Sequence, residues 1–505
     1  MSNNKRSSGQ LQLKELFSGG IANPYVFPLL AFIVPLVIRI IPEILMGPYL
    51  VGFDTVSYYV PYNLIWLKDI WTFLGTAPFF YVVLMSFTSI GIPVVVSLKV
   101  LSPLLLGLLG ICVYFYASKT LSWSPRKSLL VVLFATLYFV ALRVSFDMLR
   151  TELALTFLFV TIMFLKKNEH RFRNGVVLSI AMLSVVFAHQ LVAVIMFAIV
   201  LATIIHLYLE KEMATFHRFI VCSVPAVVLF FVVVYAGMVS SHFPLISDFP
   251  SQSVGGHMGL FGFASYGDLF VNTFGFLLFC YLPLLPFLVV GAKRFKGNLQ
   301  LKTWIFWILF SLLLILISPN VFFDVLPYRW ILLLTYPLAF YATEAFIGLK
   351  LNTHKVGVVL VLATLSISFI VLPSNLAFPY FNAFPSYVPT SMLQNTVPLS
   401  DCQDTVNVLQ WIHDHMDNGS RLLVHDAFYG WASLSLDGDQ LILYGYDNPA
   451  DVALKLEENG LTCSLYMIWW RNGSGWHGQP TVSSAFNIIY ESGKMAAFKY
   501  NYNAS

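Results

Sequence analysis

Charge is what this chain has least of. Asp, Glu, Lys and Arg make up 11% of its 505 residues, where a soluble domain carries about a quarter. With 58% hydrophobic residues and a mean hydropathy of +0.76, this scarcity excludes a soluble globular protein and indicates a polytopic α-helical membrane protein. Cysteine is also scarce. Of five, Cys112, Cys222 and Cys280 lie in apolar segments and read as packing residues. Cys402 and Cys463 lie in the polar C-terminal part, where an exported location would permit a disulfide. No repeat of fixed period and no low-complexity tract occurs. The first 20 residues lack the short apolar core and small-residue cleavage site of a secretory signal. With Lys5, Arg6 and Lys14 they read as a cytoplasmic tail.

The charge that is present is unevenly placed. From Asp401 onward there are 12 acids and 5 bases, against 13 and 24 before it. The basic excess therefore belongs to the loops of the apolar part and implies no nucleic-acid partner. A spanning helix needs about 20 apolar residues, and the candidates are 26–46, 98–118, 128–146, 152–166, 174–189, 190–209, 219–240, 271–291, 302–318, 329–347 and 355–373. About eleven helices place the N-terminus in the cytoplasm and the C-terminus outside the cell membrane. Loop charge agrees with that orientation. The inner loops and tail hold 18 bases, including Lys166, Lys167, Arg171 and Arg173; the outer loops before residue 374 hold Lys68, Lys99, Arg150 and Arg329. The apolar run 79–97 would invert this pattern if it crossed the membrane. It is read as an interfacial or re-entrant helix within a first outer loop, 47–97.

Residues 1–373 thus form the transmembrane domain. A linker follows at 374–400, rich in proline, and then a small extracytoplasmic α/β domain at 401–505. Thr405 to His415 and Ala450 to Asn459 read as helices; Arg421 to His425, Gln440 to Tyr444 and Leu465 to Trp470 read as strands. Three sequons, at Asn418, Asn472 and Asn503, all fall in this domain, which suits an outside location. Asp437-Gly438-Asp439 reads as a hairpin turn between two strands.

Ionisable groups near membrane helices are costly, and face a cavity or a partner. Here they gather at the outer ends of helices. Asp54 directly follows the first span, flanked by Tyr58, Tyr59 and Tyr62, whose rings suit a sugar; it reads equally as the cap of a helix starting at Thr55. Arg39 and Glu43, and Arg143 and Asp147, are four apart and can pair on one helix face. Asp147, Arg150 and Glu152 share a tight turn. His189-Gln190 tips the next hairpin, and Asp324 and Arg329 lie between the ninth and tenth spans. Gathered ends of this kind would form an outward-facing polar basin.

The pattern resembles the GT-C glycosyltransferases, a superfamily that includes protein O-mannosyltransferases, aminoarabinose transferases and oligosaccharyltransferase catalytic subunits. Gly52-Phe53-Asp54-Thr55 with Tyr58-Tyr59 is similar to their first-loop acidic motif, and Ala77-Pro78-Phe79-Phe80-Tyr81 to their interfacial helix. Ser145-Phe146-Asp147 with Glu152 falls where a second acidic motif stands, and Pro327-Tyr328-Arg329-Trp330 with Tyr336-Pro337 resembles a late helix start. Val424-His425-Asp426-Ala427-Phe428-Tyr429-Gly430 resembles the start of an oligosaccharyltransferase-like C-terminal domain. It lacks that family's Trp-Trp-Asp-Tyr-Gly, so a monosaccharide transferase is the closer expectation.

The resemblance implies transfer of a sugar from a polyprenyl-phosphate donor to a glycan, lipid or protein acceptor outside the membrane, with inversion. The phosphate is already a good leaving group, so the needs are a base for the acceptor and positive charge beside the phosphate. Asp54, Asp147 and Glu152 are the expected catalytic carboxylates, and Arg329 and Arg150 the donor-phosphate ligands. Tyr58, Tyr59 and His189 are expected to bind substrate. Asp54 and Asp147 are the candidate ligands for Mg²⁺ or Mn²⁺, and the Gly-rich outer loop 241–270 is the candidate lid. A transporter or flippase of lipid-linked glycans, or an oligosaccharyltransferase-like enzyme, is the alternative.

Overall fold

The computed structural model of the chain describes residues 24–61, 70–165, 172–239, 265–318, 327–348, 357–359, 361–363, 366, 395–417, 419–444, 448–460, 463–472 and 482–501. The N-terminal tail, Tyr62, the basic stretch 166–171, loop 240–264, Asp324 and almost all of the linker lie outside them, as do Asn418 and Asn503.

The membrane part begins with α1 (Val26–Leu45), whose pattern is that of a soluble helix turned inside out. Ala31, Pro35, Arg39 and Glu43, each four residues from the next, face the bundle, while Leu29, Ile33 and Val37 are exposed. Two short helices, α2 (Ile70–Gly75) and α3 (Phe79–Thr88), precede α4 (Val94–Phe115). Small residues let α4 close on α1. A Cβ on Gly110 would strike the Ala31 carbonyl, and one on Gly107 would meet Phe32 at 3.0 Å, the close backbone approach that drives helix packing in lipid. At ten residues α3 is too short to span, as expected for an interfacial element.

Next come α5 (Pro125–Leu137), α6 (Phe139–Asp147), α7 (Leu149–Phe164), α8 (Phe172–Ala188), α9 (Gln190–Leu209) and α10 (Met213–Val239). The bundle ends with α11 (Tyr266–Tyr281), α12 (Leu285–Arg294), α13 (Leu299–Ile317), α14 (Pro327–Leu333) and α15 (Thr335–Ile347). Among the described residues seven helical stretches are long and apolar enough to cross a membrane, or eight if α5 and α6 form one span bent by 59°. The protein is thus a multi-pass membrane protein. The bend sits at Tyr138, whose backbone is extended. Neighbouring segments tie the bend down: Ser366 Oγ donates to the Leu137 carbonyl at 2.6 Å, and the Tyr138 hydroxyl donates to Cys280 O at 2.5 Å.

The C-terminal part is a five-stranded mixed sheet with three helices, α16 (Cys402–His415), α17 (Asp426–Ala432) and α18 (Pro449–Glu458). Strands β1 (Arg421–Val424), β2 (Leu441–Leu443), β3 (Leu465–Trp470), β4 (Phe486–Ser492) and β5 (Met495–Tyr500) run in the order β2-β1-β3-β5-β4. β3 is buried along its whole length. β1 pairs in parallel with both β2 and β3, so Asp437-Gly438-Asp439 is not the hairpin turn expected. Parallel neighbours need a crossover, supplied here by α17, and Asp437 caps a 3₁₀ turn that feeds β2. The disulfide that an outside location would permit between Cys402 and Cys463 is not formed. Cys402 is a buried free thiol directed at Pro398 O.

The two parts meet at the chain that follows α1. Asn395 Nδ2 donates to Leu50 O at 2.9 Å, the Tyr49 hydroxyl bonds Gln403, and the Tyr49 and Trp431 rings pack edge to face at 6.1 Å. Because Cys402 is unbridged, reductant should leave gel mobility and melting temperature unchanged. A loss equivalent to about 2–5 kcal/mol, the usual worth of a native bridge, would contradict this assignment.

Candidate active site

The site is built on the end of α6. A helix leaves its last carbonyls without intrahelical partners, and an apolar bundle supplies no water to take them. Three side chains cap them instead. Arg39 Nε donates to Ser145 O at 3.3 Å, Thr55 Oγ1 to Phe146 O at 2.7 Å, and the Tyr59 hydroxyl to Asp147 O at 2.9 Å. Two of the three belong to the stretch after α1, which winds into one π-helical turn, Thr55–Tyr59. Gly52 permits the docking. Its φ is +107°, and a Cβ there would strike the Phe146 carbonyl and lie 2.7 Å from Asp147 Oδ1.

Capping uses Thr55 and Tyr59 and leaves Asp54 over. Its backbone N–H donates to Asp147 Oδ1 at 3.3 Å, while its half-buried side chain caps nothing and makes no ion pair among the described residues. Burial pushes the Asp54 carboxyl above the ordinary carboxylate range, and the guanidinium groups of Arg329, Arg143 and Arg150 pull it back. Arg143 and Asp147 form a fully buried ion pair along α6. Arg150 and Arg329, by contrast, make no ion pair among the described residues. Arg150 Nη2 donates to Gln190 Oε1 at 3.5 Å, and its guanidinium stands 5.8 Å from the Tyr81 ring centre. Gln190 is itself tied to Gly75 O at 2.7 Å.

His189 stands in extended backbone before α9, and its Nδ1 is buried with no hydrogen-bond partner among the described residues. Burial, reinforced by the charges of Arg150 and Arg329, holds the imidazole well below its usual value, so it is neutral. Tyr58 is 42% exposed; burial of its hydroxyl and the neighbouring Asp54 push the phenol up. The Tyr59 ring packs on Phe80 at 4.9 Å.

Asp54, Asp147, Arg150, His189, Arg329, Tyr58 and Tyr59 are therefore brought together. Glu152 is not. It is fully buried in the first turn of α7, where its electrostatic neighbours are Arg39 and the Tyr336 hydroxyl rather than the arginines around Asp54. The donor set also does not suit Mg²⁺ or Mn²⁺. Asp147 has Arg143 on one oxygen and the Asp54 N–H on the other. Three guanidinium groups surround Asp54, and no three His, Cys, Asp or Glu side chains assemble among the described residues.

No family model matches the chain, and no curated protein matches it. Solved structures do. ArnT from Cupriavidus metallidurans bound to undecaprenyl phosphate, an aminoarabinose transferase, is 14% identical with a TM-score of 0.52, over 95% of this chain and 99% of that one. This chain has the GT-C fold. The apo structure of the same ArnT matches at 15% identity and a TM-score of 0.49, over 93% and 97%.

Within this GT-C fold, sequence reasoning missed Gln190 and Tyr81 as the holders of Arg150. Both were named, Gln190 with His189 at a hairpin tip and Tyr81 in the Ala77–Tyr81 run, but nothing in their spacing pointed at an arginine. Gly52 gives the site its sharpest test. Gly52→Ala is expected to cost about 1–3 kcal/mol of strain and to lift the loop off α6. Gly47→Ala shares a positive φ but has open space around it, and should cost less. Equal melting temperatures for the two variants in detergent would contradict the docking.

Proposed function

We propose that this protein is a membrane glycosyltransferase that moves a sugar from a polyprenyl-phosphate donor to a hydroxyl acceptor on the extracytoplasmic side. One observation carries the reading. Among the described residues Asp54 makes no ion pair, and it lies within the electrostatic reach of two arginines, Arg150 and Arg329, that make none either. That is a base next to a candidate anion site. The shared fold supports it, since the ArnT in the solved complex holds undecaprenyl phosphate.

In this mechanism the acceptor oxygen attacks the anomeric carbon as the bond from that carbon to the phosphate oxygen breaks. The acceptor proton passes to Asp54, and the phosphate leaves on its lipid with both electrons of the broken bond. Attack opposite the leaving group inverts the anomeric centre. Arg329 and Arg150 stabilise charge growing on the phosphate, an electrostatic aid that is large in a site shielded from water. Neutral His189 and Tyr58 bind sugar hydroxyls and ring faces. Asp147 and Glu152 take no part in proton transfer.

Transfer from a polyprenyl-phosphate sugar in detergent tests this. Asp54→Asn should lower turnover by about 10²–10⁴ with donor binding retained; full activity in that variant would rule the reading out. Arg329→Lys keeps the charge but loses the bidentate fork, so donor KM should rise more than kcat falls. Donor that is bound but never transferred, by wild type across a broad acceptor panel, would favour a transporter instead.

The pH profile is a separate check. The raised Asp54 carboxyl must be ionised to act. Activity should therefore be lost as pH falls through a value above the ordinary aspartate pKa of about 3.9, and a limb at or below that value would exclude Asp54 as the base.

A further inference from the structure

The neighbourhood of Asp147 bears on how the base is aimed, and rests on the reading above only in taking Asp54 as the reacting carboxylate. Asp147 is 0% exposed. Oδ2 pairs with Arg143, Oδ1 accepts from the Asp54 N–H at 3.3 Å, and its carbonyl accepts from Tyr59 at 2.9 Å. A carboxylate so enclosed is not open to a substrate, and one paired to a buried guanidinium is a poor base.

We propose that Asp147 is a positioning residue. Shared between Arg143 and the Asp54 backbone, it fixes where the Asp54 side chain stands and touches neither donor nor acceptor. The geometry suits that task. Arg143 and Asp147 lie one turn apart on the same helix and are both enclosed, so the oxygen offered to Asp54 is held in the frame of α6. The turn is gripped from behind as well, where Arg39 donates to Ser145 O and its guanidinium lies 4.4 Å from the Phe146 ring centre. Gly52, without a Cβ, lets the loop reach Asp147 Oδ1.

The energetics agree. A buried ion pair is weak evidence for stability, because apolar residues of the same shape often hold a core as well or better. An apolar pair, however, cannot accept the Asp54 N–H. Small misplacement of a reacting group can cost about 10²-fold in rate, so this one hydrogen bond is worth keeping.

Three full-length variants test the proposal, with two readouts each. Asp147→Asn keeps an oxygen for the Asp54 N–H and loses the charge. Asp147→Leu loses both, and Arg143→Met with Asp147→Leu removes the whole pair while keeping its bulk. Hydrogen exchange is followed on peptides from 50–61, and kcat and donor KM are measured with a polyprenyl-phosphate sugar. Asp147→Asn should keep the loop protected and donor KM within about twofold, with kcat lowered about tenfold or less. Both Leu-containing proteins should exchange about tenfold or more faster in 50–61, with peptides of the C-terminal domain unchanged, and should lose about 10²-fold in kcat.

Two results would overturn the proposal. One is Asp147→Asn falling as far as Asp54→Asn while the loop stays protected, which marks a reacting carboxylate. The other is unchanged exchange in both Leu-containing proteins. If wild type turns over no donor, the glycosyltransferase reading fails, and the exchange data alone still decide whether Asp147 holds the loop. A poorly folding Leu variant leaves the Asn variant to decide.

Discussion

A helix that stops inside an apolar bundle must hand its last carbonyls to something, and the site follows from that requirement. α6 stops at Asp147, and because Ser145, Phe146 and Asp147 are fully buried their carbonyls call for protein donors. The donors come from α1 and the stretch after it, Arg39, Thr55 and Tyr59. The motif around Asp54 is therefore mostly a cap. Thr55 supplies a hydroxyl, Tyr59 a longer reach, and Gly52 the space to approach. Satisfying the backbone of one helix brings a carboxylate to a fixed place above the bundle.

Electrostatics then sort the remaining charged groups. Glu43 pairs with both Arg39 and Lys99, and Asp147 balances Arg143. Asp54 faces Arg143, Arg150 and Arg329 together, and among the described residues the last two make no ion pair. An excess of positive charge in a half-buried place is unfavourable unless an anion completes it. An arginine fork matches a phosphate oxygen pair better than a point charge would. The same excess opposes a divalent metal, whose own two charges would add to those of the guanidinium groups.

Much of this was legible in the sequence where spacing alone carries the geometry. Four-residue spacing gave the Arg39–Glu43 and Arg143–Asp147 pairs, and hydropathy located the helices. What failed involved a change of backbone direction. Glu152 lies five residues after Asp147, but Met148 turns the chain between them (φ −99°, ψ +50°), and Glu152 neighbours Arg39 and Tyr336 instead of the arginines around Asp54. The bend at Tyr138 has no proline or glycine to announce it. In the C-terminal part β4 was missed because a register shift between Ile488 and Tyr490 breaks its alternation. β5 was missed because Ala496 and Ala497 carry little strand signal.

The C-terminal domain completes the enclosure from the other side. Gly430 on α17 presses on the backbone of Val56, where a Cβ would overlap the carbonyl. The π-helical turn is thus gripped between α6, which receives its hydroxyls, and α17, which covers its backbone. Asn395 and Gln403 hold the chain just before it. With both flanks occupied, Asp54 and the exposed ring of Tyr58 remain to face the arginines. A loop held on two sides loses less entropy when substrate binds and needs less rearrangement as charge shifts. The mixed α/β domain can thereby act on the chemistry through packing alone, by keeping the carboxylate in place.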